Sequence, residues 1–496
     1  MLLLGIDVGT SSIKVSVVDG ATQQIIASAQ YPEKETEIIA LQPGWAEQSP
    51  DKWWADVQQA ILKVDSSGAY LTNEIGAIGI SYQMHGLVLL DKKGQVLRNS
   101  IIWCDSRAVP YGEEAFQNIG VEKSLRTLLN SPGNFTAAKL AWVKDNEPEL
   151  FSRIDKVMLP GDFIAQRLTG TITTTPSALS EGIFWDFEQG TISTEVMNAF
   201  GYEKEIIPEV KDVFTDHGRL LKEVAEALSL TPGIPVTYKS GDQPNNALSL
   251  NVLQPGEVAA TAGTSGVIYG VSDQLTYDPQ SRVNSFAHVT HTAEHTRVGV
   301  LLCINGTGIL NKWMKGITGN SLSYAQMNEQ AATVPAGSDG LVILPFGNGA
   351  ERMLNNRMIG AHVHHIDFNK HTNAHLYRAA QEGIAFAFRY GLDIMRENAM
   401  QPKVIRAGKA NMFLSPVFTE AFVNATNVPV ELYACDGSVG AAIGAGIGAG
   451  YFTNPAEAFE KQHVLQVIEP TQAERYDELY AQWKTCLERQ LGGSKK

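Results

Sequence analysis

The chain lacks the features that mark a disulfide-built, zinc-binding or membrane-spanning protein. Its four cysteines stand singly in a chain of 496 residues: Cys104, Cys303, Cys435 and Cys486. Because no Cys-x-x-Cys pair occurs, we expect neither a zinc ribbon nor a dithiol redox site. A disulfide framework is not expected in so large a chain. No run of roughly eighteen apolar residues occurs, so the sequence predicts no transmembrane helix.

The chain also has fewer basic residues than acidic ones. Lys and Arg together number 39 against 53 Asp and Glu, which gives a formal net charge of −14 at pH 7. Nucleic-acid binding draws its affinity from clustered basic residues, so we expect no nucleic-acid partner. The N-terminal segment has no basic start, and its apolar run breaks at Gly5 and Asp7, so a signal peptide is not expected. These features predict an acidic, soluble, cytoplasmic protein.

What is present is an alternation of strand-like and helix-like segments. Hydrophobic residues make up 44% of the chain and charged residues 19%, which are ordinary globular values, and the length allows at least two cores. Residues 2–7 and 13–17 read as strands joined by a tight turn, and residues 25–29 as a third strand. A helix is predicted over 51–64, after a Ser-Pro start signal, and a strand over 75–80. This alternation predicts an α/β fold.

An internal repeat is the most informative pattern. Residues 5–19 and residues 259–273 match at a constant offset, and each segment reads as strand, turn, strand. The two turns have the same residue types: Gly9, Thr10 and Ser11, and Gly263, Thr264 and Ser265. Two hairpins could share these letters by chance, but the match favours two related domains that each present a turn to a shared cleft. We place the domains at residues 1–252 and 253–485, followed by a tail, 486–496.

Both turns have the chemistry of a phosphate site. Glycine lets a ligand approach the backbone closely, while Thr and Ser hydroxyls and successive N–H groups suit phosphate oxygens. Neither turn has the Walker spacing or opens directly into a helix, so a polyphosphate would lie between two facing hairpins. Asp7 ends the first strand, and its carboxylate would repel phosphate unless Mg²⁺ lay between them, directly or through water. The alternative is that Asp7 only stabilises the turn.

Other segments bring polar residues to the ends of predicted strands. Asp242 stands where a strand-like run gives way to a helix-like one, a position of catalytic groups in α/β folds, although an N-cap aspartate is the plainer alternative. Residues 81–86 and 103–107 mix polar with aromatic side chains, which suits sugar binding. Residues 407–411 form a strand-to-helix junction that could receive adenine or phosphate. A glycine-rich helix beginning at residue 436 favours close packing against the neighbouring domain.

Together these residues resemble the FGGY family of carbohydrate kinases, and within it the xylulose kinases. The resemblance runs over most of the chain, and its motifs are residues 5–11, 45–48 with the tryptophan pair that follows, 83–86, 241–242 and 264–266. It implies two actin-like (ribonuclease H-like) α/β domains around a central cleft. It also implies ATP-dependent phosphorylation of the C5 hydroxyl of D-xylulose, which gives D-xylulose 5-phosphate and ADP.

The resemblance implies roles for individual residues. Asp242 is the expected general base, and Asp7 is expected to act in catalysis by holding Mg²⁺, through water. The residues expected at the sugar are Gln83, Met84, His85 and Gln243, with Trp103 and Asp105 as weaker candidates. ATP is expected to bind mainly to the second domain. The residues expected at the nucleotide are Gly9, Thr10, Ser11, Lys14, Gly263, Thr264, Ser265, Gly408 and Asn411.

The chain departs from the family pattern at two of these motifs. Ala407 and Lys409 flank a single glycine where the family has consecutive glycines, and Gln243 stands where an asparagine usually follows the base. Another ketose or a polyol is therefore an alternative acceptor. In a different class, an actin-like ATPase without sugar kinase activity would need neither residues 83–86 nor Asp242. The family also suggests a homodimer.

Overall fold

The structure is a computed structural model that describes residues 1–318, 321–434 and 436–493. Two α/β lobes follow one another along the chain, each built around one large sheet. The predictions for Cys435 and for the last part of the tail, residues 494–496, lie outside the described residues. Within the described ranges, no helix has the length and apolar character needed to cross a membrane.

The N-terminal lobe holds the elements up to residue 249. Its strands are β1 (Leu2–Val8), β2 (Ile13–Asp19), β3 (Ile25–Tyr31), β4 (Glu47–Gln48), β5 (Ile75–Tyr82), β6 (Val88–Leu90), β7 (Ser100–Ile101), β8 (Lys156–Met158), β9 (Thr173–Thr174), β10 (Trp185–Asp186), β11 (Thr191–Ile192), β12 (Glu209–Val210) and β13 (Val236–Gly241). Its helices are α1 (Pro50–Asp65), α2 (Val109–Ile119), α3 (Val121–Leu128), α4 (Thr136–Asn146), α5 (Pro148–Phe151), α6 (Pro160–Thr169), α7 (Pro176–Glu181), α8 (Thr194–Phe200), α9 (Lys222–Ala227) and α10 (Asp242–Ser249).

The C-terminal lobe follows from residue 257. Its strands are β14 (Glu257–Ala262), β15 (Gly266–Ser272), β16 (Asn284–Ala287), β17 (Val298–Ile304), β18 (Val342–Phe346), β19 (Gly360–His364), β20 (Val404–Gly408), β21 (Val430–Tyr433) and β22 (Val464–Ile468). Its helices are α11 (Gly308–Ile317), α12 (Tyr324–Ala332), α13 (Asn373–Glu397), α14 (Pro416–Thr426), α15 (Gly437–Gly448) and α16 (Ala473–Gly493).

The main sheet of the N-terminal lobe has the strand order β13–β5–β1–β2–β3. Strand β1 pairs antiparallel with β2 and parallel with β5, so the predicted first hairpin is confirmed. Apart from the half-buried Asp7, the residues of β1 are buried, which explains the unbroken apolar sequence of a strand covered on both faces. Ser49 caps α1 by accepting a hydrogen bond from the Lys52 backbone N–H, as the Ser-Pro signal predicts.

The main sheet of the C-terminal lobe has the order β16–β17–β15–β14–β20–β21–β22. Strand β14 lies between its antiparallel hairpin partner β15 and the parallel β20, just as β1 lies between β2 and β5. This common arrangement agrees with the duplication read from the repeat. The predicted tail needs correction, because α16 continues as a helix to Gly493 and the side chains of Cys486 and Leu487 are buried against the lobe.

Helix α15 connects the lobes, because it belongs to the second half of the chain and packs on the N-terminal sheet. A Cβ atom on Gly5 of β1 would overlap the carbonyl oxygen of Ser438 in this helix. A Cβ atom on Gly79 of β5 would overlap the carbonyl oxygen of Ala441. Backbone therefore meets backbone, an approach that only glycine allows. The close interdomain packing predicted for the glycine-rich helix is confirmed.

Gly79→Ala is expected to lower the free energy of unfolding by about 1–3 kcal/mol, because the new methyl group must displace α15 from the sheet. Urea unfolding measures the change. The matched control is Gly492→Ala, whose methyl group would enter open space and is expected to leave stability unchanged or slightly raised. Equal stability of Gly79→Ala and the parent chain would contradict a tight fit at this contact.

Candidate active site

The first hairpin turn lies beside the carboxylate of Asp7. In the sheet, Asp7 is opposite Lys14 on β2 and Ser81 on β5. Its carboxylate also meets the start of α15, where a Cβ atom on Gly437 would overlap it. Burial raises the pKa of Asp7, while the hydrogen bond from Ser81 and the charge of Lys14 oppose the rise. Asp7 is thus a half-buried carboxylate at the place where the two lobes meet.

Lys14 spans the lobes in this structure. Its ammonium group forms an ion pair with Asp436, the residue that caps α15. The same carboxylate accepts hydrogen bonds from the backbone N–H (3.0 Å) and the hydroxyl (2.6 Å) of Ser438. Lys14, predicted at the nucleotide, therefore lies at the meeting of the lobes and is engaged there by the opposite lobe.

Thr10 links the first turn to the residues predicted at the sugar. Its hydroxyl accepts a hydrogen bond from the indole N–H of Trp103 (2.9 Å) and donates to Oε1 of Gln83 (3.3 Å). Gln83 also donates to Oε1 of Gln48 (3.0 Å), so both ends of its amide are held by the protein. Trp103 is 53% exposed. Gln83 therefore orients its neighbours, while Trp103 keeps a free surface.

Asp242 is the first residue of α10 and directly follows β13. Gly241 occupies the cap position, so the interpretation of Asp242 as an N-cap is wrong. Burial, and then the charge of Asp7, raise the pKa of Asp242 to about 7, while hydrogen bonding to Gln243 opposes the rise. A half-buried carboxyl with a pKa near neutrality suits the acceptance of a proton at neutral pH.

His85 presents a neutral imidazole. Its backbone is left-handed (φ 64°), and its carbonyl oxygen accepts a hydrogen bond from Nζ of Lys139 (2.8 Å). The ring Nδ1 lies 2.9 Å from the carbonyl oxygen of Glu181. Because that oxygen can only accept, Nδ1 carries the proton and Nε2 is a hydrogen-bond acceptor. Burial and the charge of Lys139 lower the pKa of His85 to about 3, which keeps the ring uncharged.

Met84 and Asp105 differ in what they can offer to a ligand. The side chain of Met84 packs against Gly241, the residue before Asp242, since a Cβ atom on Gly241 would lie 2.6 Å from Cγ of Met84. Asp105 is completely buried, and its carboxylate accepts hydrogen bonds from Arg107 (2.7 Å) and from the backbone N–H of Ala46 (2.6 Å). The expectation that Asp105 contacts the sugar is therefore corrected, because structural partners occupy its oxygens.

Sequence reasoning missed Lys139, Glu181 and Arg352. Lys139 is fully buried, and burial lowers its pKa to about 7. Arg352 belongs to the second lobe, yet its guanidinium lies 6.0 Å from the ring centroid of Phe135, and its charge contributes to the lowered pKa of His85. A lysine inside the apolar run 137–142 is an unusual pattern that could have marked the first of them. The sequence around Glu181 carries no comparable signal.

A cavity of about 770 Å³ opens in the C-terminal lobe beside the second turn. Its volume is in the range of small-molecule sites. The lining includes three residues predicted at the nucleotide: Gly263, Thr264 and Asn411. Gly408 ends β20 just before Asn411, and Ser265 completes the turn. The structure thus brings this group of predicted residues to one side of the molecule, in the second lobe.

The start of α11 is a further wall of this cavity that sequence reasoning missed. The backbone N–H of Gly308 donates to the carbonyl oxygen of Gly263 (2.9 Å), and that of Ile309 donates to Thr264 (3.1 Å). A Cβ atom on Gly308 would overlap the Gly263 carbonyl. The signal was the Asn-Gly-Thr-Gly stretch, residues 305–308, between a strand and a helix.

Comparison with known proteins identifies the family. Residues 2–249 match the N-terminal domain of the FGGY family of carbohydrate kinases, and residues 258–451 match its C-terminal domain. The chain belongs to this family. It is therefore an ATP-dependent sugar phosphotransferase whose small-molecule partners are a sugar and ATP. The alternative of an actin-like ATPase without sugar kinase activity is set aside.

Individual relatives agree with this assignment. The kinase and the xylulose kinase of Bacillus subtilis (strain 168) are 30% identical over 402 residues, and the aligned region covers 80% of this chain and 77% of that protein. It is 29% identical over 404 residues to the xylulose kinase of Klebsiella pneumoniae, and the aligned region covers 82% of this chain and 81% of that protein. The crystal structure of xylulose kinase from Rhodospirillum rubrum matches with a TM-score of 0.88 at 26% identity over 98% of each chain. The predicted actin-like fold of two α/β domains is confirmed.

Gly308→Ala is expected to weaken ATP binding by about tenfold or more, since its methyl group must displace the turn that lines the cavity. Binding of the sugar alone is expected to stay unchanged. Isothermal titration with each ligand measures both. Gly316→Ala lies in the same helix, adds its methyl group in open space and serves as the control. Parent-like ATP affinity in Gly308→Ala would place the nucleotide outside this cavity.

Proposed function

We propose that this kinase phosphorylates the C5 hydroxyl of D-xylulose, giving D-xylulose 5-phosphate and ADP, with Asp242 as general base. The observation that carries the proposal is the environment of Asp242, a half-buried carboxyl with a pKa raised to about 7. The preceding residue, Gly241, packs against Met84, one of the residues expected at the sugar. Two relatives with this sequence similarity are xylulose kinases, which supports the choice of sugar.

The side chains around Asp242 suit a neutral, polyhydroxylated acceptor. Nε2 of His85 can accept a hydrogen bond from a sugar hydroxyl, because the other ring nitrogen is held by Glu181. The exposed ring of Trp103 offers an aromatic face to C–H groups, while Met84 is buried (5% exposed) beside Gly241. Gln243, the neighbour of the base, is a further candidate for contact with the sugar.

Asp242 takes the proton of the sugar hydroxyl as the hydroxyl oxygen attacks the γ-phosphorus of ATP. A new bond joins this oxygen to phosphorus, and the bond between phosphorus and the bridging oxygen breaks. ADP leaves with the electron pair of the broken bond. The proton stays on Asp242 until it passes to solvent. A positioned base of this kind contributes roughly 10²–10⁴-fold to the rate.

On the donor side, ATP is proposed to lie in the cavity of the C-terminal lobe with its phosphates directed to the two turns. The groups proposed to receive the phosphates are the N–H and hydroxyl groups of Thr10, Ser11, Thr264 and Ser265, with the charge of Lys14. Asp7 would hold Mg²⁺, through water, and the bound ion would neutralise phosphate charge. The fit rests on the chemistry of the Asp7 carboxylate, whose hard oxygen atoms suit Mg²⁺ and which lies at the place where the two lobes meet.

Asp242→Asn is expected to fold and bind ATP but to lose roughly 10²–10⁴-fold in kcat, since the amide cannot accept the proton. Coupled ADP release with D-xylulose, other ketoses, glycerol and no sugar measures turnover. Asp212→Asn, which alters an exposed carboxylate, is the control and is expected to keep parent activity. Parent-like turnover in Asp242→Asn would remove Asp242 from its role. A higher kcat/KM with another sugar would replace D-xylulose as the substrate.

The pH dependence of the reaction is expected to follow the ionisation of Asp242. Only the ionised carboxylate accepts a proton, and the pKa of this group is raised from 3.8 to about 7. With ATP saturating, kcat/KM for the sugar should therefore fall about tenfold per pH unit below about pH 7 and level off above it. Initial rates across this range measure the profile. A profile that stays flat down to about pH 5 would contradict a base with a raised pKa.

A further inference from the structure

Glu181 is a buried acid that the reaction described so far does not use. It is the last residue of α7, and its side chain is 2% exposed. Among the described residues, neither of its carboxyl oxygens has a hydrogen-bond partner of regular geometry, although the hydroxyl of Tyr82 lies beside the carboxyl. A buried polar group without partners is costly, so the presence of this acid needs a physical reason.

The carboxyl of Glu181 lies beside Gly241, the residue that precedes Asp242. A Cβ atom on Gly241 would lie 2.8 Å from Oε2 of Glu181 and 2.6 Å from Cγ of Met84. The carboxyl and Met84, a residue expected at the sugar, therefore both border Gly241, which precedes Asp242.

The backbone of Glu181 controls the second sugar-binding side chain. Its carbonyl oxygen lies 2.9 Å from Nδ1 of His85 and fixes the orientation of the ring. From the other side, Nζ of Lys139 holds the carbonyl oxygen of His85. Glu181 thus touches both halves of the proposed acceptor site, one through its side chain and one through its main chain.

The charges around Glu181 favour its neutral form. Burial is the largest cause that raises the pKa of Glu181 well above its usual value, and the charges of Asp242 and Asp162 add to it. The interaction with Tyr82 and the charge of Lys139 act in the opposite direction. A carboxyl that has no hydrogen-bond donor of regular geometry and faces two other carboxylates is stable when it holds its proton.

We propose that Glu181 is a positioning residue for the acceptor sugar and that it works as the neutral acid. Its carboxyl supports Met84 and the Gly241–Asp242 junction, and its carbonyl oxygen sets the tautomer of His85. The proposal rests on the proposed function, in which the reacting hydroxyl lies beside Asp242. It assigns to Glu181 no proton transfer and no contact with ATP.

The test compares three substitutions at this position. Glu181→Ala is expected to raise KM for the sugar by about tenfold or more and to lower kcat, because Met84 and Asp242 lose their support. KM for ATP is expected to change less than about twofold. Glu181→Gln keeps the size and neutrality of the acid, so near-parent kinetics are expected. Should Glu181→Ala not fold, Glu181→Asp withdraws the carboxyl by one methylene and takes its place in the comparison.

The pH profile tests whether Glu181 is neutral or ionised during turnover, and the split between KM for the sugar and KM for ATP separates a positioning role from a merely structural one. If Glu181 is neutral during turnover, Glu181→Gln leaves the acid limb of kcat/KM in place. If Glu181 is ionised, the substitution removes a negative charge near Asp242 and shifts that limb to lower pH, which would overturn the neutral form. The control is Glu188→Gln, which changes an exposed acid further along the chain and is expected to leave the profile unchanged.

The outcomes separate this inference from the proposed function. A folded Glu181→Ala with parent KM for the sugar would overturn the positioning role while leaving Asp242 as the base. Equal increases in KM for sugar and for ATP would also overturn it, since they indicate general distortion. Parent-like turnover in Asp242→Asn would instead defeat the proposed function, whatever the Glu181 variants show.

Discussion

The backbone contact between α15 and the N-terminal sheet is the constraint on which the rest of the molecule depends. Glycines at positions 5 and 79 remove the side chains that would otherwise separate helix from sheet. The start of this helix consequently lies against Asp7, and its capping residue Asp436 reaches Lys14. A helix from one half of the chain thus forms part of the site in the other half. The packing between the lobes therefore also determines how the residues around Asp7 are arranged.

A second theme is the concentration of acids with few partners. Asp7, Asp242 and Glu181 all have raised pKa values, with burial as the largest cause in each case. Such an arrangement lowers stability, since carboxyl groups are easier to accommodate in water. Burial also raises the pKa of Asp242, the proposed base, to about 7, and raises the pKa of Glu181. The raised pKa values of these three acids thus follow mainly from their burial.

Local patterns allowed much of the fold and the framework of the site to be predicted from the sequence. The apolar run that ends at Asp7, the paired Gly-Thr-Ser turns and the strand-to-helix junction at Asp242 each depend on neighbouring residues. Lys139 and Glu181 could not be found in this way, because their roles come from contacts with His85, which is 54 and 96 residues away in the chain.

The errors have equally physical causes. Asp105 follows an apolar strand as a ligand-binding residue would, and only the fold reveals that Arg107 and the backbone of Ala46 take its carboxylate. The segment from residue 486 onward is predicted as a tail, because chain ends are commonly frayed. It is helical because one face of it, including Cys486 and Leu487, is covered by the second lobe. A pattern shows which face is apolar, but not what covers it.

The ion pair between Lys14 and Asp436 has a consequence for ligand choice. The Lys14 side chain is 40% exposed, so an anion can approach its ammonium while Asp436 stays in place. The neighbouring carboxylate offsets part of the attraction that Lys14 exerts on such an anion. The same pair joins a strand of the first lobe to a helix from the second half of the chain, so the charge of Lys14 is coupled to the contact between the lobes.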